Sequence, residues 1–147
     1  MKVLVTGHRL FKLAAYDRAW IRSAIEETLP AEPGAVTYGY AEMASGVDLW
    51  FCAACLALGI PYAACVPFEA QRDEMGPDER ADRDALLTSA AEVLHVRNRV
   101  MVERCDAGIV VWDANKGGTH NVVQQLVEAG KGFWWLNPVA RTVWRCF

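Results

Sequence analysis

The chain reads as a three-layer α/β/α domain built on a mainly parallel sheet. Three observations predict it. Short apolar runs alternate with segments whose apolar residues recur at helical spacing, the pattern of βαβ units. One run, Ala107-Gly108-Ile109-Val110-Val111-Trp112, is apolar without alternation, as a strand covered on both faces requires. Hydrophobic residues make up 53% of the 147 residues, enough to fill the core of one domain spanning residues 1–147.

The elements follow in order. Val3-Leu4-Val5 is the first strand, and Gly7-His8-Arg9 turns out of it. Trp20, Ile21, Ala24, Ile25, Thr28 and Leu29 mark a helix over about 16–29. Pro30 and Pro33-Gly34 end it. Ala35 to Gly39 is a second strand. Ser45 opens an apolar helix that runs to about Leu58 and is closed by Gly59 at C′. Ser45-Gly46-Val47-Asp48 has the form of a capping box, with Asp in place of the preferred Glu. Pro61 to Val66 is strand three. Glu69 to Asp84 is crowded with charges of both signs and reads as a solvated face; Pro77 opens a short helix within it. Glu92 to Val96 is strand four, and 97–105 a short helix. Residues 107–112 form strand five, about 119–129 a helix stopped by Gly130, and Phe133 to Leu136 strand six. The alternating tail, Val139 to Phe147, fits a further strand or a self-association edge.

Charge and cysteine content narrow the function. Fifteen Lys and Arg against eighteen Asp and Glu give a net charge of −3, which argues against an extended nucleic-acid surface. No apolar stretch approaches the roughly 20 residues that span a bilayer, and the first residues are too short in apolar length for a secretory signal. Five cysteines in apolar contexts fit packed, reduced thiols and a cytoplasmic protein. Cys52 and Cys55 form a CxxC inside an apolar helix with no second ligand pair, so no metal site is expected.

Ligands of parallel α/β sheets bind beyond the carboxyl ends of the strands. The polar chemistry of this chain falls in the loops there. Asp113-Ala114-Asn115-Lys116-Gly117-Gly118-Thr119 joins strand five to the next helix, a glycine-bearing turn opening a helix N-terminus and hence an anion site. Gly117, Gly118 and Thr119 are expected to hold phosphate, with Lys116 beside them. After strand one, Gly7 allows a tight turn, His8 can titrate or donate, Arg9 can fork onto phosphate and Lys12 adds a charge. After strand two, Ser45 and Gly46 would offer further N–H groups. Asp48 either caps its helix or accepts from a ribose hydroxyl. Glu42 and Glu69 are the carboxylates available for catalysis, as N-glycoside chemistry requires one. Arg97 opens a helix, where the dipole disfavours it, consistent with a role on an anion. Asp113 is a candidate ribose acceptor, and Trp112 is placed to stack on a base.

These pieces together resemble the SLOG superfamily, the Smf/DprA and LOG group of Rossmann-like domains, and within it the small YspA/YpsA-like members. The resemblance covers nearly the whole chain. It rests on Thr6-Gly7-His8-Arg9, Ser45-Gly46-Val47-Asp48, Gly59-Ile60-Pro61-Tyr62 leading to Pro67-Phe68-Glu69, Arg97-Asn98 with Met101-Val102, Cys105-Asp106, Trp112-Asp113 and Lys116-Gly117-Gly118-Thr119. It implies a pocket for a nucleotide or nucleotide-derived ligand. The LOG enzymes release a base from a cytokinin nucleotide with an Arg and a Glu. Arg97 resembles that Arg, whereas Asn121 and Val122 stand where the Glu falls, and the glycine loop is shorter.

The leading expectation is a binding module for a ligand of ADP-ribose or NAD type, acting as a sensor, with no other cofactor called for. The alternative is an N-glycosidic hydrolase or transferase, with Glu42, Glu69 and Arg97 as catalytic candidates. A homo-oligomer with a vestigial pocket is a third class, motivated by Trp144 and Phe147.

Overall fold

Seven strands form one sheet in the order β4-β3-β2-β1-β5-β6-β7. The computed structural model describes residues 1–30, 35–67 and 69–147, without the side chains of Glu69 and Ala70. The strands are β1 Lys2–Thr6, β2 Tyr38–Ala41, β3 Tyr62–Cys65, β4 Glu92–Leu94, β5 Ala107–Val111, β6 Gly132–Asn137 and β7 Thr142–Cys146. All neighbours pair in parallel except β6 and β7. The helices are α1 Leu10–Leu13, α2 Arg18–Thr28, α3 Val47–Ala57, α4 Pro77–Ser89, α5 Asn98–Arg104 and α6 Gly118–Glu128.

Two apolar layers sandwich the sheet. Val3, Val5, Ile109, Val111 and Trp134 face Ile21 and Ile25 of α2, Phe51 of α3 and Leu86 of α4. Leu4, Val110 and Phe133 face Met101 of α5 and Val122 and Leu126 of α6. Alternate residues of β1 and β5 thus enter opposite layers, which is why both strands read as apolar throughout. From β1 the chain winds outward through β2, β3 and β4. It then returns, crosses on the other face through α5, and lays β5 against the opposite side of β1. The reversal places a topological switch point between β1 and β5, where open α/β sheets bind ligands.

The local signals act largely as expected. Asp17 caps α2 by accepting from the Trp20 N–H at 3.0 Å. Gly59, at φ 70°, ends α3: its N–H donates to Leu56, and that of Ile60 to Cys55, the paired bonds of a Schellman motif. Gly76 and Pro77 open α4, and the tail forms β7.

Several expectations need correction. Strand two lies at Tyr38–Ala41, later than Ala35–Gly39. Gly39 there passes so close to α3 that a β-carbon would meet the Phe51 ring at 2.7 Å. The expected stop at Pro33-Gly34 lies outside the described residues. The helix opened by Pro77 is not short, at 13 residues. The charged stretch is not simply a solvated face: Arg83 is only 1% exposed, donating to the Met43 carbonyl and the Gln71 amide oxygen. Nor does a capping box form. Gly46 is the N-cap of α3, and Asp48 accepts from the N–H of Ala44 at 3.2 Å instead. Among the described residues, no helix is long and apolar enough to cross a membrane.

Candidate functional site

The loop after β5 is pinned before it reaches α6. Trp112 Nε1 donates to the carbonyl of Asn115 at 2.8 Å, and Asp113 Oδ1 accepts from the Asn115 N–H at 3.0 Å. Between them Ala114 takes a left-handed φ of 69°. Gly117 then caps α6 with φ 153° and ψ −163°, a conformation suited to glycine, and as a glycine it has no side chain to bond the first N–H groups of the helix. A β-carbon on Gly117 or Gly118 would meet nothing within 4 Å. Packing therefore does not demand these two glycines; the helix start is open to its surroundings.

That opening faces a cleft of about 360 Å³ at the switch point. Thr6, Gly7, His8, Arg9, Phe11 and Lys12 line it from the β1 side. Asn115, Lys116, Gly117, Gly118 and Thr119 line it from the β5 side, with Glu42, Asp48 and Asn98 along its floor and end. Most of the expected ligand-binding residues therefore converge. Arg9 also pairs with Glu74 at 2.7 Å.

Arg97 lines an adjoining cavity of about 840 Å³ between α5, α6 and the β3 end. Glu42 and Asn98 are the residues that line both spaces. The three cations expected to act together are thus divided, with Arg9 and Lys116 on the cleft and Arg97 beyond the Glu42–Asn98 junction.

Four other expectations change. The N–H of Gly46 donates to Glu79 Oε2 at 3.0 Å, and the Ser45 hydroxyl to Glu79 Oε1 at 2.7 Å. The N-cap N–H of α3 and the hydroxyl before it are therefore held by a carboxylate of this same chain. Gly46 (φ 86°) and Gly7 are packing glycines. A β-carbon on Gly46 would lie 2.8 Å from the His8 carbonyl, and one on Gly7 would lie 2.6 Å from Val47. Asp113 does not line the cleft. Its carboxylate accepts from Tyr16 Oη at 3.0 Å and from Asn115, and its own N–H donates to His8 Nε2 at 3.3 Å, so it is consumed inside the fold. Trp112 does not line the cleft; it packs against His120 and Trp135, with ring centroids 5.5 and 5.7 Å away.

Burial sets the electrostatics. It pushes the Glu42 carboxyl up to about 7, against the opposing pull of Arg9. Asp48, buried and near Glu42, is pushed up to about 8, chiefly by that burial. At neutral pH the two acids thus share protons rather than both ionising. Burial lowers His8, and the bond from Asp113 N–H to Nε2 fits its neutral form with the proton on Nδ1. For Asp113, burial alone would raise the carboxyl, but Asn115, Tyr16 and His8 together hold it below the usual carboxylate range. The side chain of Glu69 lies outside the described residues. Among the described residues, no three of His, Cys, Asp or Glu gather as a metal would need.

Sequence reasoning gave no role to Asn98, Asn115 or Phe11. Phe11 is 76% exposed on the rim of the cleft, and only its place after β1 pointed to it. Asn98 was visible only as the neighbour of Arg97.

No family model and no curated protein matches the chain. Solved structures similar to it include these two. TM1055, a structural-genomics target, is 15% identical with a TM-score of 0.53, over 90% of this chain and 71% of that one. DNA processing protein A (DprA) from Streptococcus pneumoniae is 15% identical with a TM-score of 0.58, over 91% of this chain. The chain spans about half the length of that DprA chain, 49%. Likeness at this identity concerns the fold alone. It supports a Rossmann-like α/β fold and carries no argument for one family or branch.

Proposed function

We propose that the cleft between the β1 and β5 loops binds the phosphate of a nucleotide-type small ligand, of the ADP-ribose or NAD kind, and that the protein acts as a binding module or sensor. The observation that carries this reading is the start of α6 on the cleft, whose N-cap is a glycine with no side chain to bond its first N–H groups. Its glycines are free of any packing demand, and Lys116, Lys12 and Arg9 line the same space. The contrast with α3 supports it, because there Glu79 holds the N-cap N–H. The cleft lies at the lower end of the roughly 300–1,000 Å³ usual for small-molecule sites, and it shares Glu42 and Asn98 with a larger cavity of about 840 Å³.

Calorimetric titration of the protein with AMP, NAD and ADP-ribose tests the reading. At least one is expected to bind, and Lys116→Ala is expected to weaken it several-fold, as loss of one charge-assisted contact does. Absence of heat with all three contradicts it.

Self-association is a second reading that one observation favours. On edge strand β7, Val143 and Trp144 are exposed, Trp144 by 57%. Light scattering that gives a monomer counts against it.

A further inference from the structure

The cleft offered to an anion also carries two acids. Of the residues that line it, Glu42 and Asp48 are the carboxylates, beside Arg9, Lys12 and Lys116. Both are poorly solvated. Asp48 is only 6% exposed and accepts from the N–H of Ala44, and Glu42, directly after β2, is partly buried. No ion pair neutralises either one among the described residues. Arg9 is already engaged with Glu74 at 2.7 Å. The two acids lie near enough for a charge on Glu42 to disfavour one on Asp48. A carboxylate short of water repels a neighbouring anion more strongly than one at the surface. Ionised, the pair therefore works against the anion that Lys116 and the α6 start attract. Protonated, it does not, and Glu42 then has an O–H to donate.

Resting on the phosphate site proposed above, we infer that the cleft binds its anion together with a proton: the Glu42–Asp48 pair takes up a proton as the anion enters, so the site fills more readily as pH falls. The coupling is reciprocal. An anion beside the pair raises its affinity for a proton, and a proton raises the affinity for the anion by the same factor. Burial already lifts Glu42 to about 7 and Asp48 to about 8, with Arg9 opposing both, so the pair changes charge around neutrality. The other groups around the pair do not titrate in that range or lie outside the cleft. Burial lowers His8, whose Nε2 accepts from the Asp113 N–H, so it is neutral above its usual value. Burial raises the Cys52 and Cys65 thiols, which stay protonated. On α4, Glu79 is held by Gly46 and Ser45, and Arg83 donates to the Met43 carbonyl. Arg97, Arg99, Glu103 and Glu128 face Glu42 only from the larger cavity.

The test titrates the full chain with sulfate by calorimetry, because sulfate keeps one charge throughout and only the protein's protons enter. Between about pH 6.5 and about pH 8.5 wild-type affinity is expected to fall roughly fivefold or more, a typical coupling between two sites. Titration in two buffers of different ionisation heat is expected to show net proton uptake with sulfate. Glu42→Gln, which fixes a neutral side chain of the same shape, is expected to flatten the profile and to bind more tightly than wild type at the alkaline end. Should that variant fail to fold by circular dichroism, Asp48→Asn reads the same flattening. If AMP binds and sulfate does not, wild type and variants are compared with AMP at the same pH values, where the ligand's own ionisation cancels. A flat wild-type profile with sulfate, absence of proton uptake, or equal slopes in wild type and variants overturns the coupling and leaves the phosphate site standing. No binding of sulfate or AMP at any pH overturns both.

Discussion

Asp48 shows how one residue can carry a pH dependence. Its carboxyl is enclosed beside Glu42 and held up to about 8, whereas an unfolded chain would release that proton near 4. Between those values the folded state binds more protons than the unfolded one. Unfolding free energy therefore falls as pH rises through this window and levels off above it. Asp48→Asn removes the titration and keeps the shape. Urea denaturation at pH 5 and pH 8 is expected to show the variant gaining on wild type as pH rises. Parallel pH profiles for the two proteins would count against this assignment. His8 titrates with the opposite sign, losing stability as pH falls below its usual value, but it does so in both proteins and cancels in the comparison.

At the scale of elements, the contact between α4 and α3 matters most for the site. Glu79 reaches from α4 to the N–H of Gly46 and the hydroxyl of Ser45, and Arg83 of the same helix donates to the Met43 carbonyl. These bonds fix the 42–46 segment, which carries Glu42 into the cleft. Glu79→Ala is expected to cost about 1–3 kcal/mol in urea unfolding, because it orphans a helix N–H and removes a favourable charge from the dipole. A change below about 0.5 kcal/mol, the range of ordinary surface substitutions, would show that the contact contributes nothing. The same pair of helices marks a limit of the sequence. A strand, a glycine turn and a helix start are local, so the placing of Gly117, Gly118 and Thr119 at a helix start beyond a strand end was readable. Ser45 and Gly46 carried the same local signal and misled, because the carboxylate that occupies them lies 33 and 34 residues further on. Asp113 misled for the same reason, since its hydroxyl partner Tyr16 lies 97 residues away.

For the whole molecule, the strand order is what brings the loops together. Because β5 returns to the far side of β1, the segments after residues 6 and 111 become neighbours across the switch point. The alternation of strands and helices predicted the layers and the parallel sheet. It did not predict which strands flank β1, and so it grouped Arg97 with Arg9 and Lys116, which line two different spaces that share Glu42 and Asn98. In the proposed reading the cleft, rather than the full set of strand ends, holds the ligand, with the α6 start as its anchor. A crystal structure grown with AMP tests this most directly. The expected result is phosphate oxygens within hydrogen-bond distance of the Gly118 and Thr119 N–H groups. A phosphate bound elsewhere, with the start of α6 left bare, would contradict it.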